Sequence, residues 1–203
     1  MSNEDIIQML RRSFIKRGIS GRIMQAGIIS VVSTETGFKL REESSYRNTP
    51  VQRLRQIFPH KLEKFSDKEL DILKLQDVEF FDVIYGGEQG NNQVGDGFKY
   101  RGRGYNQITF KNNYARYGLL IGKDLVNKPE LMMDPQTASD ALAAFFLDGI
   151  KAKVLRVTDS LPEATKMAFQ WNAGSNTNLE TPFFQDEYKR QLANVDSIYK
   201  MLV

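Results

Sequence analysis

Residues 95–114 read Gly-Asp-Gly-Phe-Lys-Tyr-Arg-Gly-Arg-Gly-Tyr-Asn-Gln-Ile-Thr-Phe-Lys-Asn-Asn-Tyr. From Tyr100 to Thr109, aromatic or apolar residues alternate with polar ones, which is typical of a pair of strands. Gly102 and Gly104 allow the backbone to turn, or to come close to a ligand, where a Cβ atom would obstruct it. The stretch therefore predicts a glycine-bent β-hairpin that runs into a helix.

Three neutral polar side chains follow these glycines, namely Gln107, Thr109 and Asn113. Amide and hydroxyl groups are the hydrogen-bond partners that a sugar hydroxyl or an N-acetyl group needs. Because side chains two apart in a strand share a face, we expect Gln107 and Thr109 to lie on one face together with Tyr105. The alternative is a hairpin whose glycines serve folding only.

Composition narrows the classes of protein that this chain can represent. It has 203 residues and no cysteine, which excludes disulfides, a cysteine nucleophile and a zinc–thiolate site. Twenty-eight basic and 25 acidic residues give a net charge of +3, a weak argument for nucleic acid but compatible with attraction to an anionic polymer. The first residues carry no basic segment before a long apolar core, so we expect no secretory signal peptide and synthesis in a cytoplasm.

Most of the remaining chain has the periodicity of helices. The segment from Arg22 to Thr34 is apolar almost all round, which is typical of a buried helix. No repeat or low-complexity linker divides the chain, so we expect a single, mainly α domain over residues 1–203 with a small β-hairpin. Helices are predicted over Asp5 to Lys16, Arg22 to Thr34, a short segment after Pro50, Ser66 to Leu75, Val78 to Tyr85, Asn112 to Tyr117, a segment from Pro135, Pro162 to Trp171 and Phe184 to Leu202.

Five blocks of the sequence, in the same order, resemble the family 19 glycoside hydrolases, which include plant-type chitinases and phage endolysins. The blocks are residues 33–46, 82–91, 95–114, 124–131 and 171–174. The resemblance implies a lysozyme-like catalytic domain with two lobes and the hairpin beside a substrate cleft. It implies no cofactor, no metal and no separate wall-binding module.

Glu35 is the candidate general acid. It follows an apolar stretch and precedes Gly37, a glycine of the kind that ends helices. Desolvation and the negative end of the helix dipole both favour a protonated carboxyl there. From the residues alone, a solvated carboxylate past a helix end is the alternative; the resemblance implies the general acid, because the family's first glutamate in this motif has that role.

The resemblance also implies the general base, Glu42, from the spacing of Leu40, Glu42 and Tyr46. The neighbouring Glu43 could compete for the role, since this chain carries glutamate where the family carries asparagine. Thr109 takes the place of the family's residue that helps hold the nucleophilic water.

The other site residues follow from the same resemblance. Gln107 and Asn113 match an amide pair that binds sugar, and Asn172 matches an asparagine that binds the N-acetyl group. Tyr85, Tyr100 and Arg103 are candidate cleft-lining residues. The family's arginine near the C-terminal tyrosine has no clear counterpart, since Phe184 or Gln185 stands there.

Our leading hypothesis is an endolysin-type enzyme that cleaves β-1,4 bonds of the peptidoglycan glycan by acid/base hydrolysis with inversion. Such an enzyme is a monomer that binds no nucleic acid and does not insert into membranes. It stays in the host cytoplasm until a separate holin-type pore gives it access to the wall from the periplasm. The alternatives are a chitinase acting on chitooligosaccharides, and a catalytically inactive wall-binding or virion protein of the same fold.

Overall fold

A computed structural model describes residues 1–174 and 180–202 of the chain. Over these residues the order of elements is α1 (Asn3–Lys16), α2 (Arg22–Thr36), β1 (Arg41–Glu42), α3 (Val51–Ile57), α4 (Pro59–Leu62), α5 (Asp67–Leu73), α6 (Asp77–Tyr85), α7 (Asp96–Lys99), β2 (Arg103–Gly104), α8 (Lys111–Ile121), a 3₁₀ turn (Pro129–Met133), α9 (Pro135–Lys151), α10 (Leu161–Ala173) and α11 (Pro182–Met201). The prediction of a mainly helical, lysozyme-like fold with one small antiparallel strand pair is confirmed. No helix among the described residues is both long and apolar enough to cross a membrane.

The chain divides into two compact units. The first comprises Met1–Leu40 and Met132–Val203, and the second comprises Arg41–Leu131. The first unit therefore holds α1, α2 and α9 to α11, while the second holds both strands and α3 to α8.

Helix α2 is the central element of the first unit, and it packs against α10 and α11. Its interior positions are buried almost without interruption from Gln25 to Val32, as expected for a helix that is apolar all round. Gly27 brings it unusually close to α10, because a Cβ atom there would lie 2.8 Å from the backbone carbon of Ala164. The predicted buried helix is confirmed, with its end at Thr36 instead of Thr34.

The second unit has its own aromatic and aliphatic core. Partly buried rings of Tyr46, Phe58 and Tyr85 pack against it, and Tyr46 lies 5.3 Å from Phe80 between ring centroids. This packing fixes the segment that follows β1, and with it the glutamates at its start. The buried members of the core are Val51, Leu54, Leu62, Leu70, Phe80, Phe81 and Ile84.

The predicted hairpin from Tyr100 to Thr109 is present only as one antiparallel bridge, between Arg103 and Ile108, and the two named strands do not both lie within it. Strand β2 has two residues, and its partner is β1, with Arg41 opposite Gly104 and Glu42 opposite Arg103. Beyond Gly104 the chain turns back at once, since Arg103 and Ile108 exchange both backbone hydrogen bonds. Positive φ angles at Gly104 (83°) and Gln107 (50°) break the strand periodicity that the alternation of residues suggests.

Two further differences have local causes. Helix α8 does not end at Tyr117, as predicted, but continues to Ile121, and Gly122 ends it with φ 72°. Gly118 instead permits close packing, because a Cβ atom there would lie 2.7 Å from the Lys123 carbonyl oxygen. Residues 96–99, for which no helix was predicted, form α7, and the Asp82 carboxylate accepts hydrogen bonds from the amides of Gly95 and Gly97.

Candidate active site

Glu35 lies in the last turn of α2, which ends at the left-handed Gly37 (φ 59°, ψ 32°). The Gly37 amide donates to the Ser33 carbonyl at 2.8 Å and so closes the helix. The prediction of a glycine-terminated helix beside Glu35 is confirmed. The carboxyl group therefore lies at the end of a helix where unpaired carbonyl oxygens disfavour negative charge.

The surroundings of Glu35 favour its protonated form. Desolvation raises the pKa of the Glu35 carboxyl, and the negative charge of Glu187 raises it further. The guanidinium of Arg190 acts in the opposite direction. Glu187 is itself ion-paired with Arg190 one turn further along α11, and its side chain is only 13% exposed.

A cavity of about 300 Å³ adjoins this carboxyl group. Asn172, the predicted N-acetyl ligand, lines the same cavity as Glu35, so an acid and an amide meet there. The complete lining among described residues is Glu35, Phe169, Asn172, Ala173, Phe183, Phe184 and Glu187.

Three residues that line this cavity were not predicted as site residues, namely Phe183, Phe184 and Glu187. Phe183 is 67% exposed, which is unusual for a large apolar side chain and suits an aromatic surface beside a ligand. The consecutive phenylalanines after Pro182 were the available sequence signal, at the place where the family carries an arginine. The Glu187 and Arg190 pair carried no signal that separates it from an ordinary pair on a helix surface.

Glu42, in the second unit, is held by two arginines. The antiparallel register places it opposite Arg103, whose Nε donates to Glu42 Oε1 at 2.5 Å. Arg101 Nη2 reaches the same oxygen at 2.8 Å. The Glu42 side chain remains 37% exposed, so one carboxylate is both fixed in orientation and open to a small molecule.

The two arginines are themselves positioned by the second unit. Arg103 is 4% exposed and donates to the Lys99 carbonyl and the Tyr114 hydroxyl. Arg101 stacks on the Phe98 ring at 3.9 Å, and burial together with Arg103 lowers the pKa of its guanidinium, an effect that Glu42 opposes. Arg103 was predicted to line the cleft, but this burial gives it the role of orienting Glu42.

Glu43 is engaged on both carboxylate oxygens. Tyr46 and Tyr85 donate to Oε1 at 2.7 and 2.9 Å, and the Gly102 amide donates to Oε2 at 3.1 Å. Burial and the Glu43 charge raise the pKa of both tyrosine hydroxyls, which keeps them protonated as donors. Glu43 therefore ties α6 and the β2 segment to the chain after β1.

Tyr85 and Tyr100 were both predicted to line the cleft. Tyr85 is half-buried and its hydroxyl is committed to Glu43. Tyr100 is buried in the interior, where its hydroxyl donates to the Val126 carbonyl and its ring packs against Tyr114. Tyr100 therefore contributes to the core, because almost none of its surface is available to a ligand.

The polar side chains after the glycines form a connected series. Gln107 Nε2 donates to the carbonyls of Arg41 and Gly104, Thr109 Oγ1 donates to the Gln107 carbonyl, and Asn113 Nδ2 donates to the Thr109 carbonyl. Gln107 is exposed whereas Tyr105 is buried, so the two do not share one face as predicted. The series fixes the loop to β1, next to Glu42.

Comparison with known proteins points to one family. Residues 82–155 match the sequence profile described as "Chitinase class I", a glycoside hydrolase family 19 profile. A family 19 domain-containing protein of Haemophilus influenzae is 29% identical over 126 residues, which are 59% of this chain and 60% of that protein. The match thus spans 60% of the length of this relative, which is less than two thirds.

Two plant proteins match a shorter part of the chain. The acidic 27 kDa endochitinase of Solanum lycopersicum is 46% identical over 55 residues, 27% of this chain and 22% of that protein. The acidic endochitinase Q of Nicotiana tabacum is 44% identical over 48 residues, 24% of this chain and 19% of that protein. The profile match includes Arg101, Arg103, Gln107 and Thr109 but neither Glu35 nor Glu42.

Proposed function

We propose that this chain, a family 19 glycoside hydrolase, cleaves β-1,4 bonds of the bacterial peptidoglycan glycan by acid/base hydrolysis with inversion. The observation that carries the proposal is the meeting of Glu35 and Asn172 in one cavity. A raised pKa increases the fraction of carboxyl groups that hold the proton needed by a leaving glycosidic oxygen. An amide beside it suits an N-acetyl group, which the sugars of peptidoglycan and chitin both carry.

In the proposed reaction, Glu35 donates its proton to the glycosidic oxygen as the bond to the anomeric carbon breaks. Water forms the new bond to that carbon, and Glu42 accepts the proton that this water loses. The exposed Glu42 carboxylate, fixed by Arg101 and Arg103, suits a base that must accept a proton from water. Both glutamates regain their starting states when Glu42 returns its proton to solvent and Glu35 takes one up.

Glu42 suits the role of base better than Glu43 does. All three hydrogen bonds to Glu43 come from groups of its own unit, and they occupy both of its oxygens. Thr109 and Gln107 are proposed to help orient water and sugar beside Glu42, since they belong to the loop that is fixed to β1.

The absence of cysteine and the net charge of +3 favour an anionic bacterial wall as substrate. The plant relatives are named endochitinases, which makes chitin the second candidate substrate. Hydrolysis of chitooligosaccharides is therefore the alternative function. For the wall enzyme, access from the cytoplasm through a separate membrane pore is part of the proposal.

The test compares two substrates with one protein. Purified chain is added to outer-membrane-permeabilised bacterial cells, whose turbidity is followed, and in parallel to colloidal chitin, whose soluble sugars are measured. We expect rapid loss of turbidity and little release from chitin. The Glu35→Gln variant, which keeps the shape of the side chain, should lose about 10²–10⁴-fold in kcat.

The outcomes separate the candidate functions. Release of soluble sugars from chitin without lysis of the cells would instead support the chitinase function. Binding to the wall without either activity would identify an inactive wall-binding protein. Lysis by Glu35→Gln at the rate of the unmodified chain would refute Glu35 as the acid.

A further inference from the structure

A second cavity, of about 420 Å³, lies in the first unit, away from Glu35. Its volume is in the range of sites that hold small molecules. The wall is mainly aliphatic, with Tyr199 from α11. The lining residues with apolar side chains are Ile19, Ile23, Met24, Ile150, Leu155, Val157 and Tyr199.

The two charged residues that line this cavity are both basic. Arg22 and Arg156 line it, and no carboxylate occurs among the residues that line it. Neither arginine has an ion pair with an acidic side chain in the described part of the chain, and Arg22 lies 5.9 Å from the centre of the Tyr199 ring. Both arginines are exposed, so their guanidinium groups are accessible to a carboxylate at the rim of an apolar cavity, and guanidinium groups bind carboxylates with two parallel hydrogen bonds.

The backbone at the start of α2, around Arg22, adds partial positive charge beside the cavity. Arg22, Ile23 and Met24 form the first turn of α2, where Gly21 provides no side-chain cap and the helix dipole is positive. Glu35 is at the opposite end of the same helix, about 20 Å away along its axis. A ligand in this cavity is therefore separate from any group that receives the Glu35 proton.

We propose that this cavity binds a small amphiphilic carboxylate, an aliphatic chain of medium length with one anionic head group. The aliphatic wall stabilises the bound ligand because it removes the alkyl chain from water. Arg22 and Arg156 hold the carboxylate, and the hydroxyl of Ser20 is a further donor in the lining. The volume suits a single alkyl chain and is too small for a folded segment of another protein.

Binding is tested with decanoate as probe and the unmodified chain as receptor. Isothermal titration calorimetry should give saturable binding, and NMR shift changes should be confined to residues that line the cavity. Acetate, which lacks the chain, and decyltrimethylammonium, which reverses the charge, should not bind there. The Arg22→Gln/Arg156→Gln double variant should weaken decanoate binding by about tenfold or more.

Lys151→Gln is the matched control, because it removes an exposed positive charge of the same unit outside the cavity lining. It should leave decanoate affinity within about twofold. Equal binding of decyltrimethylammonium, no saturable binding of decanoate, or equal weakening by Lys151→Gln would overturn the proposal. So would sedimentation with phosphatidylglycerol vesicles in the absence of decanoate binding, which would indicate a membrane surface instead. None of these measurements depends on glycan hydrolysis.

Discussion

A single carboxyl group can serve as an acid near neutral pH only if its surroundings oppose its ionisation. Around Glu35 two such influences act, the loss of solvent and the negative charge of Glu187, against the positive charge of Arg190. Glu42 has different partners, since two guanidinium groups contact one of its oxygens. The two glutamates have the same side chain, and their different partners suit them to opposite roles.

Glu187→Gln should shift the pH profile of the enzyme without abolishing activity. Removal of the negative charge lowers the pKa of Glu35, because less repulsion then opposes its ionisation. A general acid is active only while it is protonated, so the limb at which activity falls with rising pH should move to lower pH. The measurement is kcat/KM on a soluble substrate across the pH range.

Asp186→Asn is the control for this shift. It removes a negative charge from the adjacent position of α11, but the Asp186 side chain is 72% exposed and does not line the Glu35 cavity. Its profile should coincide with that of the unmodified enzyme, since solvent screens its charge. Identical shifts in both variants would mean that overall charge, and not the position of Glu187, sets the profile.

Glu42→Gln and Glu43→Gln should separate catalysis from stability at two neighbouring residues. Glu42→Gln cannot accept a proton, so its kcat should fall by about 10²–10⁴-fold with little change in Tm. Glu43→Gln should keep substantial activity but lose about 1–3 kcal/mol of stability, because its amide cannot accept from both tyrosines and from the Gly102 amide. The reverse ranking of activity would assign the base to Glu43.

At the scale of the helices and strands, the position of Glu35 depends on how closely α2 approaches α10. Gly27→Ala should be destabilising although alanine favours helices, because its Cβ atom would lie 2.8 Å from backbone atoms of Ala164 and Thr165. Backbone atoms cannot move aside singly, so the helices must separate at a cost of about 1–3 kcal/mol. We expect a lower Tm together with a lower kcat.

Gly21→Ala is the matched substitution at the start of the same helix. A Cβ atom there meets nothing within 4 Å, and the backbone is in a conformation open to alanine (φ −66°). Its Tm should stay close to that of the unmodified chain, within about 1 kcal/mol in stability. Equal losses in both variants would show that glycine is needed in α2 for a reason other than contact with α10.

Sequence patterns predicted those elements whose signals are local. Gly37 ends α2 as expected, and Ser66, the predicted start of the next long helical segment, forms a capping box with Glu69 at the start of α5. The predicted end of α8 at Tyr117 was too early, because the small size of the next residue, Gly118, serves a contact with Lys123 that the local sequence does not reveal. The partner of β2 was not predicted for a similar reason, since β2 pairs with a segment about 60 residues earlier in the chain.

The residues of the candidate site likewise differ in whether local sequence or tertiary packing reveals them. Asn172 was predicted from its motif and lines the cavity of Glu35, whereas Glu187 reaches that cavity only through the packing of α11 against α2. Tyr100 was assigned to the site because it belongs to the motif, but burial placed it in the core. A motif identifies which residues occur together, and only tertiary packing determines which of them face a ligand.

For the molecule as a whole, the proposed acid and base belong to different units of the chain. The stereochemistry of the product reports how the two glutamates cooperate in the working enzyme, because inversion requires carboxyl groups about 6.5–9.5 Å apart with a water between them. Hydrolysis of a β-1,4-linked oligosaccharide should therefore release the α-anomer first, before mutarotation mixes the two forms. Proton NMR of the anomeric region during the first minutes measures this directly, with Glu35→Gln as the blank for spontaneous hydrolysis. Initial release of the β-anomer would instead indicate carboxyl groups about 5–5.5 Å apart and a covalent glycosyl-enzyme intermediate, in which case Glu42 would act as a nucleophile and not as a base.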